Sequence, residues 1–246
     1  MARISVLDDD VSLSEPTLVE GFPGVGLVGK IATDHMIDEH EMVHYANVHC
    51  DGLPRVAVYH EDDSAVTAPV RLYADPERDL VALRSDVPVH PNAATEVANC
   101  LDSWFDETET FPVFLSGLGR EKGEEPPALY GIATGDGGDA LSRAAVDDPS
   151  ESGLVSGPTG AMIAAALERG RDAVGLIVES DPKFPDPEAA RILIRDGIDP
   201  IAGTETPTDG LVDQATEIRD AKQQLAEQMR QATEESSQAE PLKMFQ

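Results

Sequence analysis

The chain has 246 residues, of which 47 are Asp or Glu and 18 are Lys or Arg, a formal charge of −29. That excess argues against a nucleic-acid binder, because Lys and Arg supply most of the affinity for phosphate backbones, and against residence on an anionic membrane surface. Disorder does not follow, since 41% of the residues are hydrophobic and can build a core. The acid is spread evenly, and lysine is confined to Lys30, Lys122, Lys183, Lys222 and Lys243. This reads as a halophile's surface, in a solvent where the Debye length falls to roughly 3 Å and self-repulsion is screened. Cys50 and Cys100 make no disulfide framework and read as buried, inert thiols. No apolar run reaches the ~18 residues of a membrane span. The start of the chain, closing in Asp8-Asp9-Asp10, lacks the cationic region of a signal peptide. A soluble, cytoplasmic protein is expected.

In chain order, Thr17 to Phe22 reads as a strand, and Pro23-Gly24 turns into an amphipathic helix from Val25 to Asp38. Val25, Val28, Ala32 and Met36 form its apolar face. Val43 to Cys50 and Val56 to His60 alternate as strands, followed by a further pair, Val66 to Arg71 and Leu80 to Ser85. Pro91 opens a helix through Phe105. Phe111 to Ser116 is a continuous apolar run suited to a central strand. Leu129 to Thr134 is another strand, closed by the Gly135-Asp136-Gly137-Gly138 turn. Gly157 to Arg169 predicts a helix stopped by Gly170, Ala173 to Val178 a strand, and Pro187 to Arg195 a helix stopped by Gly197. The mostly β-α-β order predicts an α/β fold, a three-layer α/β/α sandwich with a mixed, largely parallel sheet over residues 1–206. Leu211, Ile218 and Leu225, seven apart, then predict a long C-terminal helix over 207–233, packed on the body or at a subunit contact. A flexible polar tail, 234–246, follows.

Two stretches carry chemical spacings. Gly24, Gly26 and Gly29 fit the dinucleotide fingerprint, and Gly24, Gly29 and Lys30 fit the phosphate loop. Ile31 stands where that loop needs Ser or Thr for magnesium, and no acidic residue ends a second strand at the proper distance. A plain strand-to-helix turn needing glycine for close backbone approach also accounts for the block. His40-Glu41-Met42-Val43-His44 has the spacing of a zinc hydrolase, which needs both imidazoles on one helix. Asp38 and Glu39 mark a helix end before it, and Tyr45 to His49 alternate as a strand. Ser116 and Ser156 lie near strand ends without the glycine frame of a nucleophile elbow.

Three blocks taken together resemble the proteasome assembly chaperone family in its archaeal branch. They are Glu20-Gly21-Phe22-Pro23-Gly24-Val25-Gly26-Leu27-Val28-Gly29, Ser156-Gly157-Pro158-Thr159-Gly160, and Pro185-Asp186-Pro187-Glu188-Ala189-Ala190. The resemblance implies a three-layer fold akin to the nucleoside phosphorylases without their catalytic residues. It also implies a non-enzymatic homo-oligomer, no cofactor, and the proteasome core particle as partner. In that family the glycine block is a structural turn. Members that bind the core particle end in hydrophobic–Tyr–any residue, and this chain ends Met244-Phe245-Gln246. The implied contact is with the α-ring: a pocket lysine captures the terminal carboxylate while the ring fills an apolar slot. Phe245 keeps the ring and loses the tyrosine hydroxyl.

Overall fold

A computed structural model describes residues 3–8, 10–59, 61, 64–120 and 125–213. Eight strands form one sheet: β1 (Arg3–Val6), β2 (Thr17–Gly21), β3 (Val43–His49), β6 (Val70–Asp75), β7 (Leu80–Ser85), β8 (Phe111–Gly119), β9 (Leu129–Thr134) and β10 (Ala173–Ser180). They lie in the order β1-β3-β6-β7-β2-β8-β10-β9. A separate hairpin pairs β4 (Val58–Tyr59) with β5 (Val66–Thr67). The sheet is mixed. β7, β2, β8 and β10 are mutually parallel, whereas β1–β3, β3–β6, β6–β7 and β9–β10 are antiparallel. The expectation of a largely parallel sheet therefore holds only at the centre. β6 and β7 are antiparallel because the short connection Pro76–Asp79 can return the chain only in that sense.

Strand residues alternate between two apolar clusters. Leu18, Leu83 and Phe114 face one of them, where α2 (Ala94–Thr108) supplies Val97, Leu101 and Phe105 and α4 (Gly157–Arg169) supplies Met162 and Ala166. Val19, Ala82, Val113 and Leu115 face the other, with Val28, Ala32 and Met36 of α1 (Val28–Glu39) and Ala189 of α5 (Pro187–Ile192). α3 (Gly138–Ala144) adds Ala140 and Leu141 to this second cluster. The central strands are apolar on both sides because helices lie against both.

Several sequence expectations need correction. The spacing puts Val25 on the apolar face of the first helix, but it is exposed in a short 3₁₀ turn, Val25–Leu27. The strand expected over Val56 to His60 is regular only at Val58–Tyr59, and His60 lies outside the described residues. Ala68 and Pro69 interrupt the strand expected over Val66 to Arg71. The helix begun at Pro187 does not stop at Gly197. It passes through a π stretch, Leu193–Ile198, into α6 (Asp199–Ala202) and ends at Gly203, which has φ +70°. Gly197 serves close approach instead: a Cβ there would lie 2.7 Å from Leu176 Cδ1 of β10. Cys50 and Cys100 are joined in a disulfide and are not free thiols. Beyond Pro207, residues 209–213 are helical and Leu211 is buried, while the rest of the expected helix and the tail lie outside the described residues. Among the described residues, no helix is long and apolar enough to cross a membrane.

Candidate functional site

The carboxyl ends of β2, β8 and β10 meet where an α/β sheet conventionally offers its ligand crevice. β2 delivers Glu20, a carboxylate in an otherwise apolar strand and fully buried. Its Oε1 accepts from Phe22 N–H at 2.6 Å. Its Oε2 accepts from Leu115 N–H of β8 at 3.3 Å and from the Thr159 hydroxyl of α4 at 3.0 Å. Burial pushes its pKa up to about 7, against the lowering effect of those three hydrogen bonds. No charged side chain is among the groups acting on it.

After Phe22 the chain folds onto the ends of β8 and β10. Gly26 has φ +63°, and a Cβ there would meet Ser180 Oγ at 2.8 Å. A Cβ on Gly117 would lie 2.3 Å from the Val25 carbonyl oxygen. The Gly26 carbonyl accepts from Asp186 N–H at 2.8 Å, and the Asp186 carboxylate caps α5 by accepting from Ala189 N–H at 3.1 Å. The three resemblance blocks, far apart in the chain, therefore converge on one point. Glu20 ties the first to the second through Thr159, and Gly26 ties the first to the third through Asp186.

The glycine turn occupies the crevice itself. Lys30, the cation of the phosphate-loop spacing, is engaged elsewhere: its Nζ lies 2.7 Å from Asp34 Oδ2 and 3.3 Å from Asp86 Oδ1. Arg71, fully buried, pairs with Asp86 at 2.5 Å, and Arg84 joins Asp34 at 3.1 Å. Burial alone would raise the Asp86 carboxyl, but Arg71, Lys30 and Arg84 together hold it below its usual range. These contacts support the reading of Gly24, Gly26 and Gly29 as a structural turn.

The zinc spacing does not form a site. α1 ends at Glu39, His40 caps it, Glu41 has φ +48°, and His44 lies on β3. His40 Nε2 contacts Thr206 Oγ1 at 2.9 Å, whereas His44 Nε2 contacts Asn47 Oδ1 at 3.0 Å and its ring stacks on Tyr73. Both imidazoles are half-buried, and burial lowers both pKa values. Among the described residues, no group of three His, Cys, Asp or Glu is placed to hold a metal. Ser156 stands exposed at the N-cap of α4, and Ser116, on β8, opens onto a cleft of about 630 Å³ with Leu118, Tyr130, Ile132 and Ile177.

Met244, Phe245 and Gln246 lie outside the described residues. Glu20 did not stand out in the sequence as more than part of a block. The available signal was a carboxylate between Val19 and Phe22 in a strand that is otherwise apolar.

Comparison with known proteins identifies relatives in sequence and in fold. An uncharacterized protein of Methanocaldococcus jannaschii is 26% identical over 226 residues, covering 89% of this chain and 88% of that one. PbaA of Pyrococcus furiosus, an archaeal homologue of proteasome-assembly chaperone, superposes with a TM-score of 0.78 at 22% identity, over 95% of this chain and 100% of that one. PbaB of the same organism, an archaeal proteasome activator, gives 0.78 at 21% identity, over 92% and 98%. A proteasome-assembly chaperone homologue of Mycobacterium tuberculosis gives 0.63 at 18% identity, over 86% and 96%. The model of the PAC2 family matches residues 18–226, which include all three converging blocks, and the chain belongs to that family.

Proposed function

We propose that this chain is a non-enzymatic, cytoplasmic homo-oligomer that acts on the proteasome, as an assembly chaperone-like factor binding the α-ring of the core particle through Met244, Phe245 and the carboxylate of Gln246. The observation that carries the reading is the family match across residues 18–226. The shared architecture with PbaA and PbaB, two proteins connected by name with the proteasome, supports it. Local chemistry points the same way. The switch-point crevice is filled by the protein's own turn, and the Glu20 carboxylate is sealed among three donors. A protein working through short-range contacts suits a surface of this charge. An aromatic ring and a captured carboxylate act at contact distance, where salt screens little. Several tails on one oligomer would add avidity.

The test is recovery of core-particle α subunits by the full chain and by a chain lacking its last three residues. Loss of recovery on truncation supports tail docking; equal recovery from both removes the tail from the mechanism.

A further inference from the structure

The disulfide between Cys50 and Cys100 forms part of a second, differently built site. Cys50 follows the last residue of β3, and Cys100 lies midway along α2, so the bond ties the sheet to the helix beside it. Both residues are 7% exposed. Cys100, unlike Cys50, lines a cleft of about 760 Å³ between α2 and the edge of the sheet, with Val6, Tyr45, Asp51, Glu96 and Glu107 on its walls. Among the described residues lining this cleft, none is cationic. A thiolate approaching Cys100 through this cleft therefore passes walls that carry Asp51, Glu96 and Glu107.

We propose that Cys50–Cys100 is a thiol–disulfide exchange site that accepts neutral or cationic thiols and turns away anionic ones, so that oxidation locks α2 to the end of β3 and reduction releases it. The step is a two-stage exchange with a dithiol. A thiolate of the reductant attacks Cys100 Sγ, the protein S–S bond breaks, and Cys50 leaves as a thiolate that takes a proton from water. The second thiolate of the reductant then attacks the reductant's own sulfur in the mixed disulfide. This frees Cys100 as a thiolate and closes the reductant's disulfide, so two electrons pass to the protein. Every attacking thiolate carries one negative charge, and an extra anionic group adds a second. Against the carboxylates that line the cleft, that second charge slows attack by about tenfold.

The experiment uses the full chain purified without reductant, its free thiols alkylated in denaturant without reductant and counted by mass. No alkylated cysteine is the expected result, and two alkylated cysteines per chain overturn the proposal. Rates of reduction are then measured with cysteamine, 2-mercaptoethanol and 2-mercaptoethanesulfonate, each divided by its rate on 2-hydroxyethyl disulfide. The normalised rate with cysteamine should exceed that with the sulfonate by about tenfold at about 0.15 M salt, and Glu96→Gln/Glu107→Gln should reduce this ratio severalfold. Equal normalised rates in the parent chain, or an unchanged ratio in the glutamine variant, overturn it. Both substituted residues are exposed on α2, so the variant retains the fold and the ratio reads charge alone.

Discussion

The Thr159 hydroxyl donates to Glu20 Oε2 at 3.0 Å across 139 residues of chain, and neither side chain has a charged partner in the contact. The bond pins the N-terminus of α4 to the carboxyl end of β2, with both side chains buried. Its physical consequence is a dependence on pH. In the folded protein Glu20 titrates at about 7, and its ordinary value is 4.5, so the folded state holds the proton more tightly. Stability from this group is therefore complete below about pH 4.5, falls as pH rises towards 7, and is flat above.

The full excursion is of order 3 kcal/mol. Glu20→Gln abolishes it, giving a variant whose urea midpoint does not fall across that window. Parallel pH profiles for the two proteins would show that Glu20 is not the buried acid responsible.

Gly117→Ala should destabilise by about 1–3 kcal/mol, because its Cβ would lie 2.3 Å from a backbone carbonyl, that of Val25, which cannot step aside as a side-chain end can. Gly138→Ala is the matched control. Nothing lies within 4 Å of its Cβ position and it begins α3, so alanine should be neutral or slightly stabilising. Thermal melts of the two variants side by side decide the point.

Replacing both Cys50 and Cys100 by alanine should cost about 4 kcal/mol relative to the oxidised protein, since the bond closes a loop of 50 residues. Denaturant unfolding of the variant and of the oxidised parent measures the difference. A variant as stable as the oxidised parent would contradict it.

Phe245→Tyr should tighten binding to the core particle by about two- to tenfold, the worth of one regained hydrogen bond, while Phe245→Ala should abolish it. Titration of core particle against immobilised chain reads both. A tyrosine variant no better than the parent would mean that the pocket offers the hydroxyl no partner.

Stoichiometric zinc should not bind, because His40 and His44 are committed to Thr206 and Asn47 on separate elements. A chelator should leave the melting temperature unchanged, and His40→Ala/His44→Ala should leave zinc content unchanged in elemental analysis.

The sequence announced its regular elements well where periodicity and punctuation agreed. Gly157 to Arg169 forms α4 as read, Leu80 to Ser85 forms β7, and Leu129 to Thr134 forms β9. It misled where one residue type serves two purposes. Gly197 looks like a helix stop, yet its missing Cβ makes room for Leu176, a contact between positions 21 residues apart that no local pattern reveals. The disulfide was illegible for a similar reason, since nothing near Cys50 or Cys100 encodes that β3 and α2 bring them to a Cα separation of 5.8 Å. β1 and α3 are too short to show a period. At the convergence point the blocks were legible as a set, but the hub was not. Glu20 matters through burial, which only the assembled sheet supplies.

The strand order also separates early from late events in folding. β3, β6 and β7 pair antiparallel, and the β6–β7 hairpin closes over only a few residues, Asp75 opposite Leu80. The Glu20–Leu115 contact that joins β2 to β8 must close over 95 residues. Chain-closure entropy makes the second event costlier by about 3 kcal/mol, so the antiparallel half should assemble first as a platform. The buried carboxylate would then enter its dry pocket only when β8 and α4 arrive, making the central junction the last part of the molecule to lose its water.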